Sequence, residues 1–470
     1  MHELQRKSHG MTNNQDPNNV SRRAFTVSSV AAITAPGLLG CSEAESRDAA
    51  APPEAAPSAA VTAPVATSQT KASGGWEEGT SIPAEYYFEP EHYRRDERFM
   101  ADSLWLMVDH ESRIPKAGDY FTFEFGLGES VIILRDEKKV VRAFHNVCRH
   151  RGSRICRNGA EPEPEGDQVT ILQLKSSGNT PLIRCPYHAW TYDLQGGLTK
   201  ASMMPKGFDL SKNGLLPCHL RVEGGHIFIN LSQGDTPPEF DANFAPYKTF
   251  ATEYGLADLQ VGARHAYTIK ANWKLLIENF LECYHCGPAH ATLVTTHNWD
   301  YGLTDDEKAY RHNELKTWLG GQSKDWWSYE GKLNPGFVTG SLDGKPVAPL
   351  LPTRKEWSHK TTDMTTGLST GYWQAYDDYV VVMRFTPRGP ELIDCDVLWL
   401  IHPDAVEGKD FEAANLMALW ETTFREDIYL VENQHRGVRS GGYRSGSLST
   451  SVESNVADFG VWYMNTVAQA

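Results

Sequence analysis

Two short segments of the chain each join one thiol to one imidazole: Cys148-Arg149-His150-Arg151-Gly152 and Cys185-Pro186-Tyr187-His188-Ala189-Trp190. Two Cys and two His meet the tetrahedral demand of zinc, but zinc sites usually draw their donors as like pairs on a knuckle or helix. Here each segment supplies one of each. A sulfide-bridged iron pair with two thiolates on one iron and two imidazoles on the other has the matching requirement, so two such loops can clasp a [2Fe-2S] cluster from opposite sides. Cys148, His150, Cys185 and His188 are therefore the expected cluster-binding residues. Gly152 after the first loop and Pro186 inside the second suit tight turns whose backbone N–H groups point at the sulfurs.

A second constellation follows downstream. Asn272 to His290 reads as a helix capped by Asn272 and ended before Pro288. On that helix Glu282 and His285 are three apart and share a face, and His290 returns to it after Gly287-Pro288. Two imidazoles and a carboxylate on one triangular face hold Fe(II) with positions left open for dioxygen chemistry. The carboxylate must come from farther along the chain. Phe424 to Gln434 has an amphipathic helical pattern that offers both Glu426 and Asp427, and spacing does not choose between them. Cys283 and Cys286 form a Cys-x-x-Cys, which raises zinc and thioredoxin-like alternatives. At about 100° of rotation per residue they fall on a stripe turned away from Glu282 and His285, so they are expected as packing residues.

The elements that must position these residues are legible more coarsely. From Trp105 onward, short alternating runs such as Tyr120 to Phe125 and Val131 to Leu134 are broken by Gly, Asp and Lys, which are strand and hairpin signals. Between the two loops, Glu161-Pro162-Glu163-Pro164-Glu165-Gly166-Asp167 is acidic and turn-rich and reads as a solvated loop. The 470 residues are 40% hydrophobic and 22% charged, the profile of a soluble globular enzyme with ample length for two packed cores. Lys plus Arg number 45 against 60 Asp plus Glu, a formal charge of −15, which lacks the basic footprint of a phosphate-backbone binder and argues against nucleic acid. The eight cysteines are spread too thinly for a disulfide scaffold.

At the N-terminus, Ser21-Arg22-Arg23-Ala24-Phe25 precedes a mildly apolar run to Cys41 with no acidic residue, and is similar to a twin-arginine export signal. Leu38-Leu39-Gly40-Cys41 also resembles a bacterial lipobox. The run is too short and too polar to span a bilayer. Residues 42–75 are Ala, Pro, Ser, Thr and Glu with almost no large apolar side chain, a composition expected to stay disordered as a linker with a reach of about 30 Å. The expected organisation is a signal over 1–41, a linker over 42–75, a cluster domain over 76–235 and a catalytic domain over 236–470. Export implies the periplasmic side of the cell envelope, with a lipid anchor at Cys41; the cytoplasm is the alternative.

Taken together, these motifs, with His402 to Gly408 and the tail Gly442 to Gly446, resemble the terminal oxygenase subunit of Rieske-type non-haem iron oxygenases, the ring-hydroxylating oxygenase alpha subunits. The resemblance spans about residues 85 to 465. It implies an α+β chain, with an all-β Rieske [2Fe-2S] domain followed by a helix-grip-like α+β catalytic domain built on an antiparallel sheet. It implies cluster binding by Cys148, His150, Cys185 and His188, and mononuclear Fe(II) at His285, His290 and Asp427. It also implies a homotrimer in which one subunit's cluster faces its neighbour's iron, bridged by a carboxylate whose place here belongs to Glu282. Electrons come from a reductase or ferredoxin, and the co-substrates are dioxygen and a small molecule.

The common bridge is aspartate. Glutamate there, within Glu278-Asn279-Phe280-Leu281-Glu282-Cys283-Tyr284-His285-Cys286, is similar to the branch that hydroxylates or N-demethylates quaternary ammonium compounds such as carnitine, choline or glycine betaine. Trp299, Trp318, Trp326, Trp357, Trp373 and Tyr376 are candidates for an aromatic cage around such a cation. An aromatic ring-hydroxylating dioxygenase and an envelope Rieske electron carrier are the competing readings. Cys156 has no partner cysteine in the second loop for the disulfide that shields respiratory Rieske clusters, which argues against the carrier.

Overall fold

The computed structural model describes residues 75–126, 128–157, 174–298 and 326–470. The export signal, the lipobox, nearly all of the linker, the acidic stretch 161–167, Trp299 and Trp318 lie outside the described residues.

Two N-terminal helices, α1 (Glu85–Phe88) and α2 (Pro90–Ser103), lead into strands β1 (Leu106–His110), β2 (Asp119–Glu124), β3 (Ser130–Arg135), β4 (Val141–His145), β5 (Ser177–Asn179), β6 (Ile183–Arg184), β7 (Thr191–Tyr192), β8 (Leu198–Lys200), β9 (His219–Glu223) and β10 (His226–Asn230). These form antiparallel sheets ordered β1-β10-β9, β4-β3-β2-β5 and β6-β7-β8. Strand β3 is apolar at almost every position because both of its faces are covered: Ile132 and Leu134 face the core around Cys148 and Cys185, while Val131 and Ile133 face the main core.

The chain continues through α3 (Ala245–Tyr254), β11 (Gln260–Ile269), α4 (Trp273–Phe280), α5 (Cys286–Ala289), α6 (Ala291–Thr296), β12 (His297–Asn298), β13 (Trp326–Leu333), β14 (Lys360–Thr366), β15 (Gly371–Ala375), β16 (Tyr379–Gly389), β17 (Leu392–Ile401), α7 (Ala413–Val438) and α8 (Ser454–Trp462). The strands make one antiparallel sheet in the order β11-β17-β16-β15-β14-β13-β12. Its residues alternate between two cores. Tyr372, Val381, Met383, Val397 and Trp399 join the cluster that holds α4 and α7, while Trp373, Val380, Val382, Leu398 and Leu400 join the one that holds α3, β1 and β10. The expected α+β organisation is the one observed.

The two halves share a core. The Asp109 carboxylate of β1 takes Arg264 of β11 at 2.7 Å and Arg113 at 2.6 Å; burial would raise its pKa, but the two guanidinium groups hold it well below the usual carboxylate range. By its contacts α2 belongs with the catalytic half: buried Asp96 accepts from Trp273 Nε1 at 2.9 Å, from Lys274 Nζ at 2.5 Å and from Tyr463 at 2.8 Å. Tyr87 donates to Glu278 at 2.8 Å. Helix α4, which ends beside the second constellation, is thus clamped along its length. Among the described residues, no helix is long and apolar enough to cross a membrane.

Candidate metal centres

The two thiol-imidazole loops are built alike. Cys148 N–H donates to Ser153 O and Cys185 N–H to Trp190 O, both at 2.9 Å, while Gly152 and Ala189 return N–H groups to the Cys148 and Cys185 carbonyls at 3.0 and 3.1 Å. Each closing residue needs a left-handed backbone, φ +74° at Gly152 and +57° at Ala189. The result buries both sulfurs and leaves the imidazoles at the surface, with His188 exposed and His150 half-buried. His150 Nδ1 and His188 Nδ1 face each other at 3.2 Å. Trp190 stacks on His150 at 4.6 Å and Tyr187 on His188 at 3.8 Å, fixing both rings.

Hydrogen bonding with the Cys185 thiol, and then from the Tyr192 hydroxyl at 3.3 Å, pulls the Cys148 thiol down to about 5, and Cys185 rises in response. Two sulfurs in mutual contact opposite two facing Nδ1 atoms form a donor set that fits a cluster with thiolate and imidazole irons. Tyr192 was not singled out in the sequence, although it lies only four residues past His188.

In the second constellation both histidines aim Nε2 at one oxygen. Asp427 Oδ1 is 3.3 Å from His285 Nε2 and 3.0 Å from His290 Nε2. Each opposite ring nitrogen meets another carboxylate, Glu282 at 2.5 Å from His285 Nδ1 and Glu426 at 2.8 Å from His290 Nδ1. The two carboxylates that spacing could not separate therefore have different places: Asp427 is buried and central, and Glu426 braces His290 from behind. Burial lowers His285, but Asp427 and Glu282 outweigh it and hold the imidazole up at about 9, a measure of the negative charge gathered here. Asn279 Oδ1, on the same side of α4, is buried without a partner while its amide nitrogen is 3.2 Å from His285 Nε2. Two imidazoles, a carboxylate and an orphaned polar atom fit a divalent iron with open positions.

Two expectations fail locally. Asn272 does cap α4, accepting from Lys274 N–H at 3.0 Å, but the helix stops at Phe280 rather than running to Pro288. The Glu282 side chain accepts the backbone N–H groups of Tyr284 and His285 and so closes a turn that competes with the helical path. With the helix broken, Cys283 and Cys286 no longer lie on a rear stripe; they pack with Leu293 and Leu419, as expected of packing residues, but are joined as a disulfide. The cage candidates also divide. Trp326 and Trp373 pack against α3 on the face of the sheet away from the histidines. Tyr376 lies in the core on the α4 and α7 side and donates or accepts at His297 Nε2, 2.7 Å away, and Trp357 is half-buried in a loop. Phe280, Tyr372, Trp420 and Phe424 lie on the same side as Tyr376, with Phe280 5.2 Å from Tyr372 and 6.0 Å from Phe424. Trp420 and Phe424 lie seven and three residues before Asp427, the helical spacing of one face of α7.

Comparison with known proteins agrees with this geometry. The Rieske [2Fe-2S] domain family matches residues 104–218, and the Ring hydroxylating alpha subunit (catalytic domain) family matches residues 256–469. The glycine betaine monooxygenase oxygenase subunit of Chromohalobacter salexigens is 32% identical over 407 residues, covering 82% of this chain and 86% of that protein. The chain belongs to the Rieske-type non-haem iron oxygenases.

Other relatives of this oxygenase include the carnitine monooxygenase oxygenase subunit of Escherichia coli K12, 27% identical and covering 84% of this chain and 94% of that protein. Among solved structures, the quaternary ammonium Rieske monooxygenase CntA with L-carnitine superposes with a TM-score of 0.61 at 22% identity, over 82% of this chain and 95% of that one. Naphthalene 1,2-dioxygenase from Rhodococcus sp. gives 0.60 at 19% identity, over 82% and 94%. As a Rieske oxygenase, the chain carries a Rieske [2Fe-2S] cluster and a mononuclear Fe(II), works with a reductase or ferredoxin, and uses dioxygen on a small-molecule substrate.

Proposed function

We propose that this oxygenase is a monooxygenase of a quaternary ammonium compound of the glycine betaine and carnitine kind, hydroxylating a carbon beside nitrogen or removing an N-methyl group. Cys148, His150, Cys185 and His188 hold the cluster, and His285, His290 and Asp427 hold the iron. The observation that carries the reading is the convergence of both Nε2 atoms on Asp427 Oδ1, within a chain whose relatives are oxygenase subunits for glycine betaine, carnitine and choline. Held there, the cluster would supply single electrons and the iron would activate dioxygen. The protein orients and encloses. Asp427 fixes both imidazoles, Glu282 and Glu426 fix their tautomers from behind, and Phe280, Tyr372, Trp420 and Phe424 give the cation aromatic faces worth on the order of 1 to 2 kcal/mol each when desolvated.

The working assembly is a homotrimer in which the exposed His188 edge of one subunit meets Glu282 of the next. Tyr187, 56% exposed beside His188, and Tyr284, 61% exposed beside His285, are the large side chains such a contact would cover. The enzyme acts on the periplasmic side after folded export, with Cys41 as the candidate lipid anchor. The Cys283 to Cys286 disulfide supports an oxidising compartment. Cell fractionation of Arg22→Lys with Arg23→Lys tests this: the altered chain stays in the cytosol, and a wild-type chain found there too would overturn it. An exported enzyme needs a membrane-bound or exported electron donor.

The substrate reading is tested by oxygen uptake and formaldehyde release with glycine betaine, carnitine and choline set against naphthalene, under a common electron supply. Uptake coupled to a quaternary ammonium compound is the expected result. Turnover of the hydrocarbon alone would make the protein an aromatic ring-hydroxylating dioxygenase, and a fully metallated protein with no substrate-coupled uptake would make it an electron carrier.

A further inference from the structure

The disulfide sits inside the iron site. Cys283 and Cys286 bracket Tyr284 and His285, and the Cys286 sulfur and one ring nitrogen each of His285 and His290 all lie within 4.8 Å of one another. Cys286 is buried, packed on Leu293 and Leu419, so its sulfur is held beside the histidines rather than free to swing to solvent. Joined to Cys283, that sulfur is a poor ligand. As a thiolate it would complete a different donor set from the one that includes Asp427: one sulfur and two imidazoles, which selects soft or borderline metals, and on which Zn(II) outranks Fe(II).

We propose that the Cys283 to Cys286 disulfide is a metal-selectivity lock: closed, it reserves His285 and His290 for iron with Asp427, and opened, it lets Cys286 join the two histidines in a site that captures Zn(II). The inference rests on the reading of His285 and His290 as the mononuclear site. Opening consumes one dithiol: the S–S bond breaks, two electrons pass to Cys283 and Cys286, and the dithiol leaves as its own disulfide. Metal capture then releases the Cys286 thiol proton. The lock links the compartment to the metal, since an oxidising environment keeps the soft site shut.

The test uses the full chain with its cluster loaded and the mononuclear metal removed. Co(II) serves as a spectroscopic probe, because a thiolate ligand adds an intense sulfur-to-cobalt absorption, and Zn(II) affinity is measured by competition. Untreated protein should bind one Co(II) per chain without the sulfur band. After treatment with a phosphine reductant, which ends as the phosphine oxide, the band should appear and Zn(II) should bind at least tenfold tighter. Cys283→Ser should show both properties with no reductant, and Cys286→Ser should show neither under any condition. Absence of the band in both the reduced protein and Cys283→Ser overturns the lock, as does an unchanged Zn(II) affinity. Failure of the underlying reading has a separate signature: His290→Ala that binds Co(II) as well as the untreated wild type.

Discussion

The carboxylate of Glu282 lies 2.5 Å from His285 Nδ1, on the side of the ring opposite the nitrogen that faces Asp427. It also accepts two backbone N–H groups of its own turn, so its position is set by the turn itself. A carboxylate fixed behind a ligating imidazole can both orient the ring and carry coupling outward. Replacing it by glutamine keeps the volume and an acceptor for the turn while removing the charge. In Glu282→Gln, with Fe(II) supplied at saturation, the cluster and the iron should both stay bound, with the cluster still reducible by a chemical donor, while substrate turnover falls about 10- to 100-fold. Iron loss in this variant would make Glu282 a ligand, and near-normal turnover would make it structural.

Glu426 has a narrower task. Its contact is with His290 Nδ1 at 2.8 Å, so Glu426→Gln should weaken Fe(II) binding at the mononuclear site by about 10- to 100-fold and leave the cluster spectrum unchanged. Ferrous titration of protein stripped of its mononuclear iron measures this. Wild-type affinity would show that His290 is held by packing alone.

Tyr192 donates to the Cys148 sulfur, and a hydrogen bond to a cluster sulfur stabilises the reduced, more negative state. Tyr192→Phe should therefore keep the cluster and lower its midpoint potential. An unchanged potential, read by spectroelectrochemistry, would place the hydroxyl outside the cluster's field.

Glu278 supplies a pH dependence of stability. Burial pushes its carboxyl up to about 7, against the opposing pull of Tyr87 and Lys274. Its folded pKa is above its unfolded value, so its contribution is fully present below the usual carboxylate range and is lost as pH rises through about 7. Relative to Glu278→Gln, which can still accept from Tyr87, the wild type should lose up to about 3 kcal/mol between pH 5 and pH 8. Parallel melting curves for the two proteins across that range would show that Glu278 ionises freely.

Much of this architecture was readable from residue types. The two loops announced themselves because cluster chemistry demands one thiol and one imidazole from each, and the runs Val131 to Leu134 of β3, Tyr379 to Met383 of β16 and Val397 to Ile401 of β17 are apolar throughout because both faces of the strands are covered there. Helical periodicity failed at Leu281, where a side chain competes for backbone N–H groups; it therefore missed the turn that brings Cys283 to Cys286. Spacing could not separate Glu426 from Asp427 because adjacent helix positions both reach His290, one at each ring nitrogen. The side chains that flank the site were illegible for another reason. Which face of β15 looks toward the histidines depends on long-range strand order, so Trp373 could be named as a candidate while its neighbour Tyr372, on the opposite face, was not.

The most direct test of the two-centre account is anaerobic iron analysis combined with electron paramagnetic resonance of the dithionite-reduced full chain, in wild type, His188→Ala and Asp427→Ala. Wild type should hold about three irons per chain and show the cluster signal. His188→Ala should lose the colour and the signal while keeping the mononuclear iron, and Asp427→Ala should lose one iron and keep the signal. A coloured, signal-bearing His188→Ala, or an Asp427→Ala protein with its full iron content, would contradict the assignment of the two centres.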